Sequence, residues 1–284
     1  MIYLLLSSII FASLNSVLLH KAKITRNAVF KFNLLCSAVW CVALFIANGF
    51  ALQINKGVLL WGIIYGITQT LFILFKTLAM NSGSVSITTL VGNFSLVISV
   101  VFCFFVWGEA IGLLDIVGLV LLMVGIVLST NKETSSSSNK KWPIYLVFFL
   151  MFAAAVGISF KAFSKTGQSE FAGDMMLTAA LVMLVTYALI CLFTRKQNKE
   201  SVGKIDKEFI IFALVSGVLS CVYNRLNIYL SGALNAVIFF PAFNGGVIML
   251  STLLSVILLK EKLNLKTALG ILLGVAGICI IGIL

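Results

Sequence analysis

Ten continuous apolar runs, each about twenty residues long, leave this chain little choice of fold. A helix rising about 1.5 Å per residue needs roughly 20 apolar residues to cross a hydrocarbon core about 30 Å thick. The runs lie near 1–20, 29–51, 57–80, 84–107, 110–129, 143–164, 172–194, 208–230, 233–259 and 265–284. They are continuous rather than alternating, which excludes a membrane barrel. Only 10% of the 284 residues are charged, against about a quarter in ordinary globular chains, so a soluble domain is excluded as well. The expected class is an all-α polytopic membrane protein whose surroundings are a lipid bilayer. The first run lacks a basic start and a small-residue cleavage site before His20, Lys21, Lys23 and Arg26, so it reads as a retained helix and not a leader. Cys36, Cys41, Cys103, Cys191, Cys221 and Cys279 all fall inside apolar runs and read as packing residues.

The net charge of +11 is a topology signal, not a nucleic-acid footprint. With the connections numbered one to nine, the odd ones carry Lys21, Lys23, Arg26 and Lys31, then Lys132, Lys140 and Lys141. They continue with Arg195, Lys196, Lys199, Lys204 and Lys207, then Lys260, Lys262 and Lys266. The even ones carry only Lys56, Lys161 and Lys165. The positive-inside rule then puts the odd connections in the cytoplasm and both termini outside, with the plasma membrane as the expected location. Thr130 to Trp142, containing the run Ser135 to Ser138, reads as a solvated cytoplasmic linker between a first half, 1–129, and a second, 143–284.

The halves resemble each other. A shift of 152 residues lays Trp107-Gly108-Glu109 on Leu259-Lys260-Glu261, Gly118 on Gly270, and Gly125-Ile126 on Gly277-Ile278. The opening helices agree more loosely, Ile2-Tyr3-Leu4 with Ile144-Tyr145-Leu146. Five helices per unit is an odd number, so the second copy enters the membrane upside down, giving ten transmembrane helices as two inverted five-helix repeats. Inverted repeats are the architecture of alternating-access carriers.

The turn with Glu109 followed by the Gly118 to Gly125 helix, repeated as Glu261 with Gly270 to Gly277 and preceded by Pro241, resembles the duplicated EamA-type unit of the drug/metabolite transporter superfamily. The resemblance spans essentially the whole chain. It implies that the third, fourth, eighth and ninth helices line a central cavity while the fifth and tenth buttress it. The sequence departs from internal symmetry where Thr89 stands opposite Pro241, and many relatives have cytoplasmic termini, opposite to the orientation that the charges give here.

Every acidic residue falls in a connection or near a helix start. Exchange of a cation or proton through a mid-membrane carboxylate is therefore disfavoured. Glu109 and Glu261 read as structural turn residues whose charge complements a helix N-terminus. Two cations lie within helices: Lys76 in the third and Arg225 in the eighth, which the 152-residue shift sets over position 73, one turn from Lys76. On a cavity wall they suit an anionic or zwitterionic solute, Arg as a fork and Lys as a point charge. On a lipid face they snorkel to the headgroups.

Around them stand Gln69, Tyr65 and Trp61 on the third helix and Tyr223, Asn224 and Asn227 on the eighth, all candidate solute contacts or interhelical hydrogen bonds. Gly92-Asn93 and Asn244-Gly245 each put an amide beside a glycine, and Pro241 removes one backbone donor, so local irregularity of the helix is expected there. Gly62-x-x-x-Gly66 and Gly270-x-x-x-Gly274 allow close approach within the bundle. Asn15 and Ser16 interrupt the first helix and face either the cavity or, as the favoured role, an internal hydrogen-bond partner. His20, the sole histidine, sits at the cytoplasmic edge with no evident proton path.

One histidine makes no zinc site, and there is no Gly-x-x-x-x-Gly-Lys loop for a nucleotide, so neither metal nor cofactor nor enzymatic activity is expected. The expected function is a secondary transporter for a small anionic or zwitterionic metabolite. The alternatives are an exporter of amphipathic amines or drugs using the aromatic surface of Trp61 and Tyr65, and a channel or non-transporting scaffold.

Overall fold

The computed structural model describes residues 1–22, 28–129, 139–195, 206–259 and 265–282. Glu261, most of the expected linker and many of the basic loop residues lie outside these. Ten helices follow one another: α1 (Ile2–Ala22), α2 (Val29–Ala47), α3 (Lys56–Ser82), α4 in two segments (Val85–Asn93 and Ser95–Trp107), α5 (Leu113–Ser129), α6 (Trp142–Lys165), α7 (Ala172–Arg195), α8 (Lys207–Ala233), α9 (Ala236–Leu259) and α10 (Leu265–Gly282). A short 3-10 turn, Ser169–Phe171, leads into α7. Eight spans are long and apolar enough to cross a membrane, while α5 and α10 are shorter. α5 starts at Leu113 and not near 110, because Gly108 takes a left-handed φ of 62° and Gly112 donates its N–H to Asp115 Oδ2 at 2.8 Å. α2 stops at Ala47 because Gly49 and Phe50 both have positive φ, 67° and 61°.

The helices pair mainly across the halves. α3 lies on α6 and α7, and α8 lies on α1 and α2. α4 lies on α6 and α9 on α1, and α2–α7 and α5–α10 are each a helix with its own counterpart. Exchanging every helix with the one five places on leaves this pattern unchanged, which is a two-fold arrangement of the repeats.

α3 and α8 fix the register of the repeats. Each has 27 residues. Their N-caps, Asn55 and Asp206, lie 151 positions apart, and each accepts the N–H of the residue three further on, Val58 or Phe209, at 2.8 Å. α3 sets Gly62 and Gly66 against Thr178 and Val182 of α7. In the same way α8 sets Ala213 and Gly217 against Cys36 and Val39 of α2. The register is therefore n to n + 151 through these helices and reaches 152 only at the ends of α4 and α9. α9 carries one residue more than α4, and α4 is the helix that breaks. Phe94 closes a tight turn there, donating its N–H to Val91 O at 3.0 Å. Irregularity thus falls two residues after Gly92. At Pro241 and Gly245 α9 stays continuous, because Pro241 stands in its second turn and costs a single backbone bond.

The repeated glycines make the α5–α10 seam. A Cβ on Gly125 would stand 2.6 Å from Gly270 O, and one on Gly118 2.7 Å from Gly277 O. Gly270 and Gly277 meet the same backbone in return, so neither helix tolerates a side chain at these four positions.

The two ends of the bundle differ. At the even end, where the even-numbered connections meet, Glu109 Oε1 lies 2.8 Å from Lys161 Nζ and 3.2 Å from Lys165 Nζ, and Oε2 accepts the first amide of α9, Ala236 N–H, at 2.6 Å. Lys161 Nζ also donates to Leu234 O at 2.6 Å. Glu109 thus serves the N-terminus of α9, a helix of the other half, where the sequence alone suggested only a helix start. Burial raises the pKa of Glu109, but hydrogen bonds and charge from Lys161, the Ala236 amide and Lys165 outweigh it and hold the carboxyl below its ordinary range. Asp174 adds a second tie across the halves, accepting from Asn48 Nδ2 at 3.2 Å and Gln53 N–H at 3.1 Å. Beneath these ties Leu44, Tyr65, Phe160, Phe163, Met175 and Met176 fill the even half of the bundle.

Gly125→Val, which drives a branched side chain into α10 backbone, should cost about 1–3 kcal/mol and lower Tm in detergent, whereas Ala276→Val on the exposed side of α10 should leave Tm within error. Glu109→Gln should lower Tm at neutral pH. Because the folded pKa is depressed, the stabilisation is present above the ordinary glutamate range and lost as pH falls through the depressed value, so wild type and variant should converge in acid. A constant Tm difference across a pH series would contradict this.

Candidate functional site

A cavity of about 730 Å³ enters the bundle from the odd end and stops near its middle. α2 contributes a helical stripe, Val29, Phe32, Asn33, Cys36, Ser37 and Trp40, at spacings of three and four. α3 contributes Gln69, Phe72, Ile73, Lys76, Thr77 and Met80 from its second half, and α8 contributes Ser216, Ser220, Tyr223 and Asn224 from its middle. Asn15, Ser16, Leu19 and His20 of α1, Met183 and Tyr187 of α7, and Thr89 of α4 complete the wall. The two halves therefore share the site, and inversion explains which ends meet: α3 descends to the odd end while α8 rises from it.

Among the described residues Lys76 is the one Lys or Arg of this wall, and no carboxylate lines it. Its ammonium lies 5.8 Å from the Phe72 ring centroid. Asn15 Oδ1 and Gln69 Oε1 are buried and accept no hydrogen bond from the described residues. Trp40 Nε1 donates to Ser220 Oγ at 2.8 Å, tying α2 to α8 across the halves, and Asn224 Nδ2 donates to Ser220 O at 2.8 Å. The chemistry on offer is one positive charge, two open carbonyl acceptors, several hydroxyls and an aromatic surface from Phe72, Trp40, Tyr187 and Tyr223.

Of the candidate solute contacts singled out in the sequence, Lys76, Gln69, Tyr223 and Asn224 come together in the cavity, beside Asn15, Ser16, His20 and Thr89. Arg225 does not. It is exposed on the outer side of α8 beside Val218, Val222 and Tyr229, the position from which an arginine snorkels. The cause is the register: at n + 151 its mate is Leu74 and not position 73, and one residue turns a helix by about 100°. Asn227 is buried between helices, accepting from Ser8 Oγ at 2.7 Å. Tyr65 is fully buried, its ring 4.6 Å from that of Phe160 and its hydroxyl donating to Asn224 Oδ1 at 3.5 Å. Trp61 packs beside the same core. Asn93 lies outside the lining, as does Asn244, whose Nδ2 donates to Phe240 O at 3.0 Å within its own helix. Gly92 faces Phe149, and Gly245 faces Leu122 of α5 and Ile278 of α10. In this conformation α9 thus gives the cavity nothing and α4 gives it Thr89; Asn15 and Ser16 of α1 face the cavity, the less favoured of their two readings, and α2 supplies a wall that was not foreseen. The α2 stripe was present in the sequence at helical spacing, but it carries no full charge within the span and so drew no notice.

The profile of the EamA-like transporter family matches residues 1–131 and 140–283. An uncharacterized protein of Haemophilus influenzae is 26% identical over 188 residues, which are 65% of this chain and 62% of that relative, so the match spans less than two thirds of the relative's length. A solved crystal structure superposes with a TM-score of 0.72 at 17% identity, covering 98% of this chain and 94% of that one. At that identity the likeness concerns the fold alone.

Ser220→Ala would leave the Trp40 indole N–H without its acceptor, at about 1–3 kcal/mol. The expected results are a lower Tm and a shifted Trp emission, with Ser220→Thr restoring most of both.

Proposed function

We propose, because this chain belongs to the EamA-like transporter family and is a membrane transporter of the drug/metabolite type, that it is a secondary carrier of a small anionic or zwitterionic metabolite. The observation that carries the reading is Lys76, a lysine in a cavity wall to which the described residues contribute no carboxylate. An ammonium held away from any acid favours a carboxylate or phosphate over a cationic solute. The buried carbonyls of Gln69 and Asn15 want donors, which a hydroxyl, amide or ammonium group on the same solute supplies.

The closed even end supports a carrier over a channel, since a channel requires a continuous polar path. A cavity of this volume does not suit a scaffold with a filled centre. The amine-exporter alternative loses Trp61 and Tyr65, which lie outside the cavity wall, and the aromatic rings that do line it share the wall with the Lys76 ammonium, which disfavours a cation. The charge bias of the connections argues that the odd end faces the cytoplasm of a plasma membrane and that the cavity is entered from there. Residues 1–129 and 143–284 are taken as the two repeats.

The test is a thermal-shift ranking of anionic, zwitterionic and cationic metabolite sets on purified protein. Carboxylate- or phosphate-bearing compounds should stabilise it. Lys76→Gln should weaken the strongest of them at least ten-fold, about 1.4 kcal/mol, while Arg225→Gln should bind as wild type does. Preferential stabilisation by cationic amphipaths would overturn the assignment.

A further inference from the structure

We infer that three pairs of symmetry mates, Gln69 with Ser220, Phe72 with Tyr223 and Ile73 with Asn224, form a central layer that a solute touches whichever end is open, and that Lys76 charges only the odd-side rim of that layer. The inference rests on the carrier reading above, and it adds which part of the wall stays with the solute and which part serves one side only.

The register established by the caps and packing of α3 and α8 makes each of these residues the mate of its partner at n + 151. All six line the present cavity. Further toward the odd face α3 adds Lys76, Thr77 and Met80, whose mates on α8 are Asn227, Ile228 and Ser231. Those mates are closed off. Asn227 accepts from Ser8, Ile228 is fully buried, and Ser231 Oγ donates to Ile228 O at 2.8 Å and lies 3.4 Å from Ser164 Oγ. Likewise Ser216, open to the cavity, has as its mate Tyr65, which is sealed against Phe160.

In a carrier made of two inverted copies, the opposite conformation arises when each copy adopts the arrangement now held by the other. Asn227 and Ser231 then open toward the even end while Lys76 and Thr77 close. The six central residues exchange places with one another and remain in the wall. The charge does not exchange, because the mate of Lys76 is a neutral amide. On the α3–α8 wall an anion therefore meets an ammonium, Lys76, on arrival from the odd side and a neutral amide, Asn227, on arrival from the even side, where Lys161 and Lys165 are already paired with Glu109, so half-saturation differs between the two faces.

Single cysteines in a background lacking the six native ones test this without a known solute. The probe is a membrane-impermeant maleimide, applied to each face in turn using right-side-out and inverted vesicles. Gln69→Cys and Ser220→Cys should react from both faces, Thr77→Cys from the odd face alone and Ser231→Cys from the even face alone; Thr77→Cys and Ser231→Cys are close in size to the native residues. Central cysteines that react from one face only, or Ser231→Cys reacting from the odd face or from neither, would overturn the central layer. The one-sided charge is read from the ratio of rates for anionic and cationic methanethiosulfonates. At Thr77→Cys that ratio should fall about three-fold or more when Lys76→Gln is added, through loss of a nearby positive charge, and at Ser231→Cys it should not change. An equal fall at both positions would refute the one-sided rim. The labelling pattern involves no solute, so its failure leaves anion binding by Lys76 standing, and failure of anion binding leaves the labelling pattern standing.

Discussion

The whole arrangement depends on a shared core, in which the main helix pairings join one half to the other. α3 finishes its packing on α6 and α7, α8 on α1 and α2, and α5 on α10. A spanning helix gains nothing from burying apolar side chains that lipid already solvates, so association rests on close backbone approach and on polar bonds between helices. The glycines at 62, 66, 118, 125, 217, 270 and 277 supply the first, and Trp40–Ser220, Ser8–Asn227 and Glu109–Lys161 supply the second. Every one of these contacts crosses from one repeat to the other, and the cavity lies on that same boundary.

The two ends of the boundary are closed by different physics. The even end combines a filled aromatic and methionine core with an ionic joint that is almost fully desolvated, the side chains of Lys161 and Glu109 being 1% and 8% exposed. Removing one partner from such a joint strands a charge at about 3–5 kcal/mol, whereas the complete joint, with Leu234 O and Ala236 N–H included, leaves nothing unmatched. The odd end has lighter ties: Asn139 N–H to Ser82 O at 2.9 Å, and the Trp142 indole over Gly83 with its Nε1 3.4 Å from Thr88 Oγ1. The solvent-reachable polar groups gather at the end where the closing contacts are weaker.

Much of this was legible from residue order. The apolar runs gave the helices to within a few residues, the shift by 152 gave the duplication, and the glycine rows of α5 and α10 proved to be a seam between counterparts. Lys76 and Gln69 share a face because seven residues make nearly two turns. What failed was register. The 152-residue shift holds for α5 and α10, but one extra residue in α9 makes it 151 for α3 and α8, and a one-residue error rotates Arg225 by about a quarter turn, from the wall to the outer surface. Pro241 misled because a proline in the second turn of a helix removes a single bond, while the first turn of α9 is held by Glu109 and Asn235. The break came instead in α4, where the missing residue is accommodated at Phe94. The α2 stripe went unnoticed because amides, hydroxyls and an indole at helical spacing look the same on a cavity wall as between packed helices.

The glycine seam has a further consequence in time. α10 leaves the ribosome about 150 residues after α5, and at ordinary rates of synthesis that is a delay on the order of ten seconds. Throughout it the groove of Gly118 and Gly125 lacks the α10 backbone that fills it, while α6 to α9 supply partners for α1 to α4 as each emerges. Closure of this seam is therefore a late event, completed on a nearly full set of helices, and a pause or truncation near the end of translation leaves the glycine groove of α5 open to whatever other helices share the membrane.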